Sequence, residues 1–345
     1  MQTLPRRVFL GGIASITTVL AGCNQTGEDG TDEGESTPES TPVTTESPTE
    51  AAATETATSE QTEGEDATEH LDAAFNAGEE ASSLLLEELG KVDQTLDFVD
   101  FETDRITTLI EQGEEELAAA APTGDQTEVA ASLESIFAWL RPLTDGVAAY
   151  DDAVDAWETG DTYSSNDRFR DAAEQMETAQ DRFSTAEEHT GEAEDAFDAI
   201  TVEPLDGVDE ADLTQAETPM QQFADAVAAT TVYTRGLAVF MTATDAFLEG
   251  IRAYSEGRYS EVVEPLESAR SESADANAAA QDAEEITPDW LLDRVLNLQC
   301  WSDAYRDAAA HFIAAVEARQ AGDTATAEEE EEAANQAINR CESAD

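Results

Sequence analysis

Lysine is almost missing from this chain. Among 345 residues there are 79 acids and 16 bases, and Lys91 is the single lysine, so the formal net charge is −63. That balance excludes nucleic acid as a partner, because phosphates need a basic footprint. It also disfavours direct binding to anionic headgroups, while cationic solutes, metal ions and other proteins stay compatible. Histidine and cysteine are scarce too, at three each. His70, His189 and His311 stand far apart, with no His-x-His and no HExxH, so no zinc spacing is present. No Cys/His pair or serine elbow suggests nucleophilic catalysis. We therefore assign no catalytic residue, no metal ligand and no cofactor from the sequence. Period-2 alternation is absent as well, which leaves no signal for a sheet.

What is abundant is acid, spread over every segment. A compact domain with this charge repels itself in dilute buffer. At 1 M salt the Debye length falls to about 3 Å, which relieves the repulsion. Acid-rich, lysine-poor surfaces of this kind resemble those of haloarchaeal proteins.

The N-terminus carries its own pattern. Arg6-Arg7-Val8-Phe9-Leu10 resembles a twin-arginine export motif, and an apolar stretch from Gly11 to Ala21 follows it. That stretch is shorter than the roughly 20 apolar residues of a spanning helix. Leu20-Ala21-Gly22-Cys23 is similar to a lipobox, and charge, short apolar core and small residues stand in signal-peptide order. The resemblance is to haloarchaeal twin-arginine-exported lipoproteins and covers only these residues. It implies export of a folded protein, cleavage after residue 22, lipid on Cys23 and attachment to the outer face of the cell membrane.

Residues 23–68 read as a lipidated cysteine followed by a disordered acidic stalk of Thr, Ser, Pro and Glu. Positions 24–68 hold no lysine, arginine or aromatic residue, so they cannot bury enough apolar surface to offset ordering entropy. Thr/Ser/Pro stalks are often O-glycosylated, and Asn24-Gln25-Thr26 fits a sequon.

From residue 69 the pattern becomes a 4-3 spacing of apolar or small residues, the mark of packed helices. Leu71 through Ala120 keep one register and read as one long helix bent near Gly90. Further seams run Val129–Trp157, Phe169–Phe197, Tyr233–Tyr254, Val262–Ala283 and Leu291–Val316, with a last acidic helix at about 324–342. Pro142 lies off its seam and should kink that helix without ending it. Breakers stand at Pro122 to Asp125, Gly160-Asp161, Gly257-Arg258 and Gly322-Asp323. Pro122 to Gly160 and Pro219 to Gly257 are each 38 apart, and Pro288 to Gly322 is 34. The turns at the three glycines loosely resemble those of tetratricopeptide repeats, although each helix here takes the length of a whole such repeat.

The expected fold is all-α: long antiparallel helical hairpins in an elongated bundle or solenoid-like array. Residues 69–200 form a first subdomain, 201–212 a linker or crossover, and 213–345 a second subdomain. Cys300 and Cys341 flank the Gly322 turn at similar distance, so a hairpin brings them level and a disulfide is expected outside the membrane. Four tryptophans stand at helical spacing and read as core, with Trp290, just after Pro288, the candidate exposed contact. The acids at Asp93, Asp97, Asp100 and Asp104, and the run Glu328 to Glu332, read as solvated faces. The functional expectation is a lipid-anchored interaction or scaffold module for envelope proteins; the alternative is a solute- or metal-binding lipoprotein beside a transporter.

Overall fold

The computed structural model describes residues 59–92, 101–201, 205 and 210–342. The signal, the lipobox, Cys23, most of the stalk and Asp93, Asp97 and Asp100 lie outside the described residues. The described part is all-α. Its helices are α1 (Ser59–Leu89), α2 (Thr103–Ala119), α3 (Gln126–Ser165), α4 (Phe169–Phe197), α5 (Glu210–Ser255), α6 (Val263–Glu284), α7 (Asp289–Ala321) and α8 (Thr324–Glu342), with a 3₁₀ turn at Tyr259–Glu261 before α6. Every helix packs chiefly on its chain neighbours. The odd helices touch one another as well: α1 meets α3 and α5, and α5 meets α3 and α7. The result is an array of hairpins with an inner layer of odd helices and an outer layer of even ones. One hydrophobic core runs from Leu71 to Cys341, so the two expected subdomains share it.

Three boundaries differ from the sequence reading. The seam from Leu71 to Ala120 is not one bent helix. It is α1 and α2, which fold back on each other. The chain turns just after α1, where Lys91 N–H donates to Glu88 O (3.0 Å) and Val92 N–H to Leu89 O (3.2 Å). Both helices face the same core, so the 4-3 spacing survives the reversal and cannot signal it. Helix α1 also starts at Ser59, inside the expected stalk. No proline follows Pro48 in that stretch, its Glu, Ala and Gln favour helix, and Ala67 and Leu71 dock it on the core. Finally, Gly160-Asp161 is no breaker: α3 runs through it to Ser165. Pro142 sits inside the same continuous helix, as expected.

The true turns reveal a closer repeat than the sequence suggested. Asp167 (φ 59°), Gly257 (φ 74°) and Gly322 (φ 82°) are the left-handed residues that end α3, α5 and α7. At each turn the next amide reaches back five residues: Arg168 N–H to Tyr163 O, Arg258 N–H to Ala253 O and Asp323 N–H to Ala318 O, all 2.9 Å. This is the Schellman closure, which satisfies carbonyls the helix end would orphan. Aligning the hairpins on these residues shifts the first onto the second by 90 positions, and the cores then coincide. Ala172, Met176, Ala179, Phe183, Ala186, Thr190 and Ala193 of α4 fall on Val262, Leu266, Ala269, Ser273, Ala276, Ala280 and Ala283 of α6, and all are buried. The third hairpin follows at a further 65 positions, where Ala327, Ala334 and Cys341 of α8 match Val262, Ala269 and Ala276.

In this register Gly160 pairs with Gly250, and both serve close packing. A Cβ on Gly160 would lie 2.9 Å from Met176 Cε and 3.3 Å from Ala172 O; on Gly250 it would lie 2.7 Å from both Cγ and Cδ2 of Leu266. Alanine gains about 1 kcal/mol of helix propensity against an overpacking cost of about 1–3 kcal/mol. The flexible tip of Met176 can move aside, whereas the branched Leu266 is fully buried. Gly250→Ala is therefore expected to lower the unfolding free energy by about 1–2 kcal/mol, with Gly160→Ala nearer neutral. Denaturant titration of the two variants checks the order.

Helix α8 is held differently from α6. Where α6 has Leu266, α8 has Glu331, which accepts from Arg319 and from the Tyr254 hydroxyl; Arg319 Nε also donates to Tyr254 Oη at 2.8 Å. Burial, then the Glu331 carboxylate, holds that hydroxyl well above the ordinary tyrosine range. His311 lies 2.7 Å from Glu330. The run Glu328 to Glu332 is thus only partly a solvated face: two of its members bind α7 and α5. The α8 N-cap is Asp323, which accepts from the Thr326 amide (3.2 Å) and hydroxyl (2.9 Å). Cys300 and Cys341 form the expected disulfide between α7 and α8, with Cα atoms 5.9 Å apart.

Candidate functional site

Helix α3 carries an aromatic and polar stripe on its buried side. Tyr150, Trp157 and Ser164 recur every seven residues, so they share one face, and Asp161 lies one turn beyond Trp157. Tyr150, Trp157 and Ser164 are buried, and Asp161 is half-buried. The Tyr150 ring is fixed edge-on by Phe183 of α4 (5.2 Å) and Phe223 of α5 (5.6 Å). From α7 the Arg294 guanidinium reaches over the Trp157 ring, 5.3 Å from its centroid, a cation–π contact. From α5 comes the buried Tyr233.

These groups share one electrostatic neighbourhood. Burial raises the Asp161 carboxyl above the usual carboxylate range, and the nearby Arg294 charge offsets this only in part. Burial pushes Tyr233 up to about 12, opposed by Arg294 and reinforced by Asp161. Tyr150 is raised further by the same burial, again with Arg294 opposing. The sign for Asp161 follows: its folded-state pKa exceeds its unfolded one, so this group favours folding more as pH falls through the raised value.

Four polar atoms along α3 are buried without a hydrogen bond among the described residues, Tyr150 Oη, Trp157 Nε1, Asp161 Oδ1 and Ser164 Oγ, as are the hydroxyls of Thr234, Ser273 and Ser302 elsewhere. An unsatisfied buried group costs about 1–3 kcal/mol, so such a concentration asks for an explanation. The repeat sharpens the point. Asp161 stands where the second and third hairpins have Ile251 and Val316, and Trp157 where they have Phe247 and Phe312. Arg294 stands where the earlier hairpins have Ala229 and Trp139. The cluster offers hydroxyl and indole donors, a carboxylate acceptor and aromatic faces.

Sequence reasoning missed this site, but it left a signal. The seam Tyr150, Val154, Trp157 continues in register onto Asp161 and Ser164, polar residues on an apolar stripe. Trp290, the expected exposed contact, is half-buried against the core, because α7 starts at Asp289 and its first turn packs inward. Among the described residues the exposed large apolar side chains are Ile286 (47 %) and Leu296 (41 %). Trp139, Trp157 and Trp301 are core, as expected. His70 lies 2.6 Å from Glu116 and His189 3.4 Å from Glu192. A shallow, open depression of about 510 Å³ lies by Phe101 to Arg105 and Asp151, beside the start of α2. Among the described residues no group of three or more His, Cys, Asp or Glu is placed to hold a metal ion, and no helix is long and apolar enough to cross a membrane.

No protein-family model matches the chain, and neither a curated protein nor a solved structure matches it.

Proposed function

We propose that this chain is a lipid-anchored, extracytoplasmic helical module of a salt-loving organism, and that it binds envelope proteins or scaffolds them. The observation that carries the reading is the array of repeated hairpins, whose inner helices pack on one another and carry a polar patch at Asp161 and Arg294. Such arrays present extended faces suited to protein recognition. Export and anchoring rest on Arg6, Arg7 and the lipobox ending at Cys23. The acid-rich, lysine-poor composition supports a molar-salt environment. Binding, without catalysis, is the role this chemistry favours.

A second reading is a solute-binding lipoprotein serving a transporter. The cluster of Tyr150, Trp157, Asp161 and Arg294 favours it, since aromatic faces with a few convergent polar groups suit a small ligand.

Cross-linking in intact cells at native salt separates the two. The first reading expects recovery of envelope proteins, and it expects a Cys23→Ser variant to leave the membrane fraction. Recovery of the chain alone, with a small molecule bound after purification, favours the second. Retention of Cys23→Ser in the membrane contradicts the anchor.

A further inference from the structure

The inner layer repeats one pattern of positions, and its first hairpin departs from it at Asp161. Along α5 the stripe is Phe240, Phe247, the half-buried Ile251 and Tyr254; along α3 the same positions hold Tyr150, Trp157, the half-buried Asp161 and Ser164. The departure has a counterpart on α7. Arg294 reaches Trp157 at 5.3 Å, and its charge acts on Asp161. Yet α7 packs along α5, α6 and α8, not along α3. Contact between the first and third hairpins is therefore local, and it sets Asp161 and Arg294 at positions that hold apolar residues in the other hairpins. It also holds two buried polar atoms without a hydrogen bond among the described residues, Trp157 Nε1 and Asp161 Oδ1. Each is a cost in the closed arrangement that exposure to water removes. Closed, the patch carries that cost; open, it gains hydration that an apolar patch would not.

We propose that this patch is a latch: Arg294 of α7, seated on Trp157 and beside Asp161 of α3, holds the first and third hairpins together across α5, and it opens locally in the folded protein. Opening uncovers Trp157 and Asp161 together, turning a buried contact into an aromatic face with a carboxylate. The inference goes beyond the binding role and holds whichever partner is recognised. It gives the array a defined place at which to part.

The repeat supplies the control. Residues 150–164 and 240–254 occupy the same positions in successive hairpins, equally far from their turns, so end-fraying is matched. Hydrogen exchange of the full chain at molar salt should show 150–164 exchanging at least tenfold faster than 240–254, with 290–298 opening together with it. The double variant Asp161→Ile, Arg294→Ala places the residues of the second hairpin at both positions. It should slow exchange of 150–164 by a similar factor. Equal protection of 150–164 and 240–254 in the native chain overturns the latch, whether or not the variant folds. A folded double variant with unchanged or faster exchange overturns it as well.

Discussion

Moving the protein from molar salt to tens of millimolar is expected to unfold it, or to lower its thermal midpoint by tens of degrees. Two electrostatic terms compete. Salt screens the ion pairs, such as Arg105–Glu80 and Arg170–Asp245, but these are exposed and worth about 0–1 kcal/mol each. Salt also screens repulsion among 79 acids that 16 bases cannot neutralise. The Debye length grows from about 3 Å at 1 M to about 10 Å at 0.1 M, so in dilute buffer each carboxylate feels many others. Repulsion dominates, and stability should rise steadily with salt. Circular dichroism melts across a potassium chloride series check this. A midpoint that is flat or falls with added salt would show that the ion pairs govern instead.

The second large effect is on the C-terminal hairpin. Removing the Cys300–Cys341 bridge, by Cys300→Ser with Cys341→Ser, is expected to cost about 4 kcal/mol, the loop-closure value for a separation of 41 residues. The magnitude matters because α8 buries little apolar side chain. Its buried residues, Ala327, Ala334 and Cys341, are all small. It also stops at the layer of Ala276, short of the two layers that Ala280 and Ala283 supply in α6. The bridge stands at that last layer. The variant should therefore lose protection in 324–342 before the rest of the molecule unfolds. Hydrogen exchange resolved by segment tests this; uniform destabilisation, or a loss under about 1 kcal/mol, would show that packing and the Arg319–Glu331 pair suffice.

Much of the fold was legible because helix burial is periodic. The seams Phe169–Phe197 and Val262–Ala283 fall on buried faces, and the last helix begins and ends where the pattern placed it. Reversals were harder. A hairpin returns its residues to the same core, so the phase of apolar positions passes through the α1–α2 turn unaltered. Gly160 misled for a related reason: glycine serves both a left-handed turn and a close helix approach, and only the partner helix distinguishes them. Its missing Cβ faces Met176, while the turn itself uses Asp167, a residue that tolerates positive φ. The candidate site was hidden because it is assembled from α3, α5 and α7, and no spacing links Asp161 to Arg294. The aligned turns expose it, since they show which polar residues occupy apolar positions.

The most direct test of the binding role uses photo-activatable cross-linkers placed singly on the two layers, in intact cells at native salt. Glu158 is half-buried on inner helix α3 beside the polar patch, and Asp181 is exposed on outer helix α4. The account predicts that position 158 captures the same envelope protein repeatedly while position 181 captures little. Capture from 181 with none from 158 would contradict it.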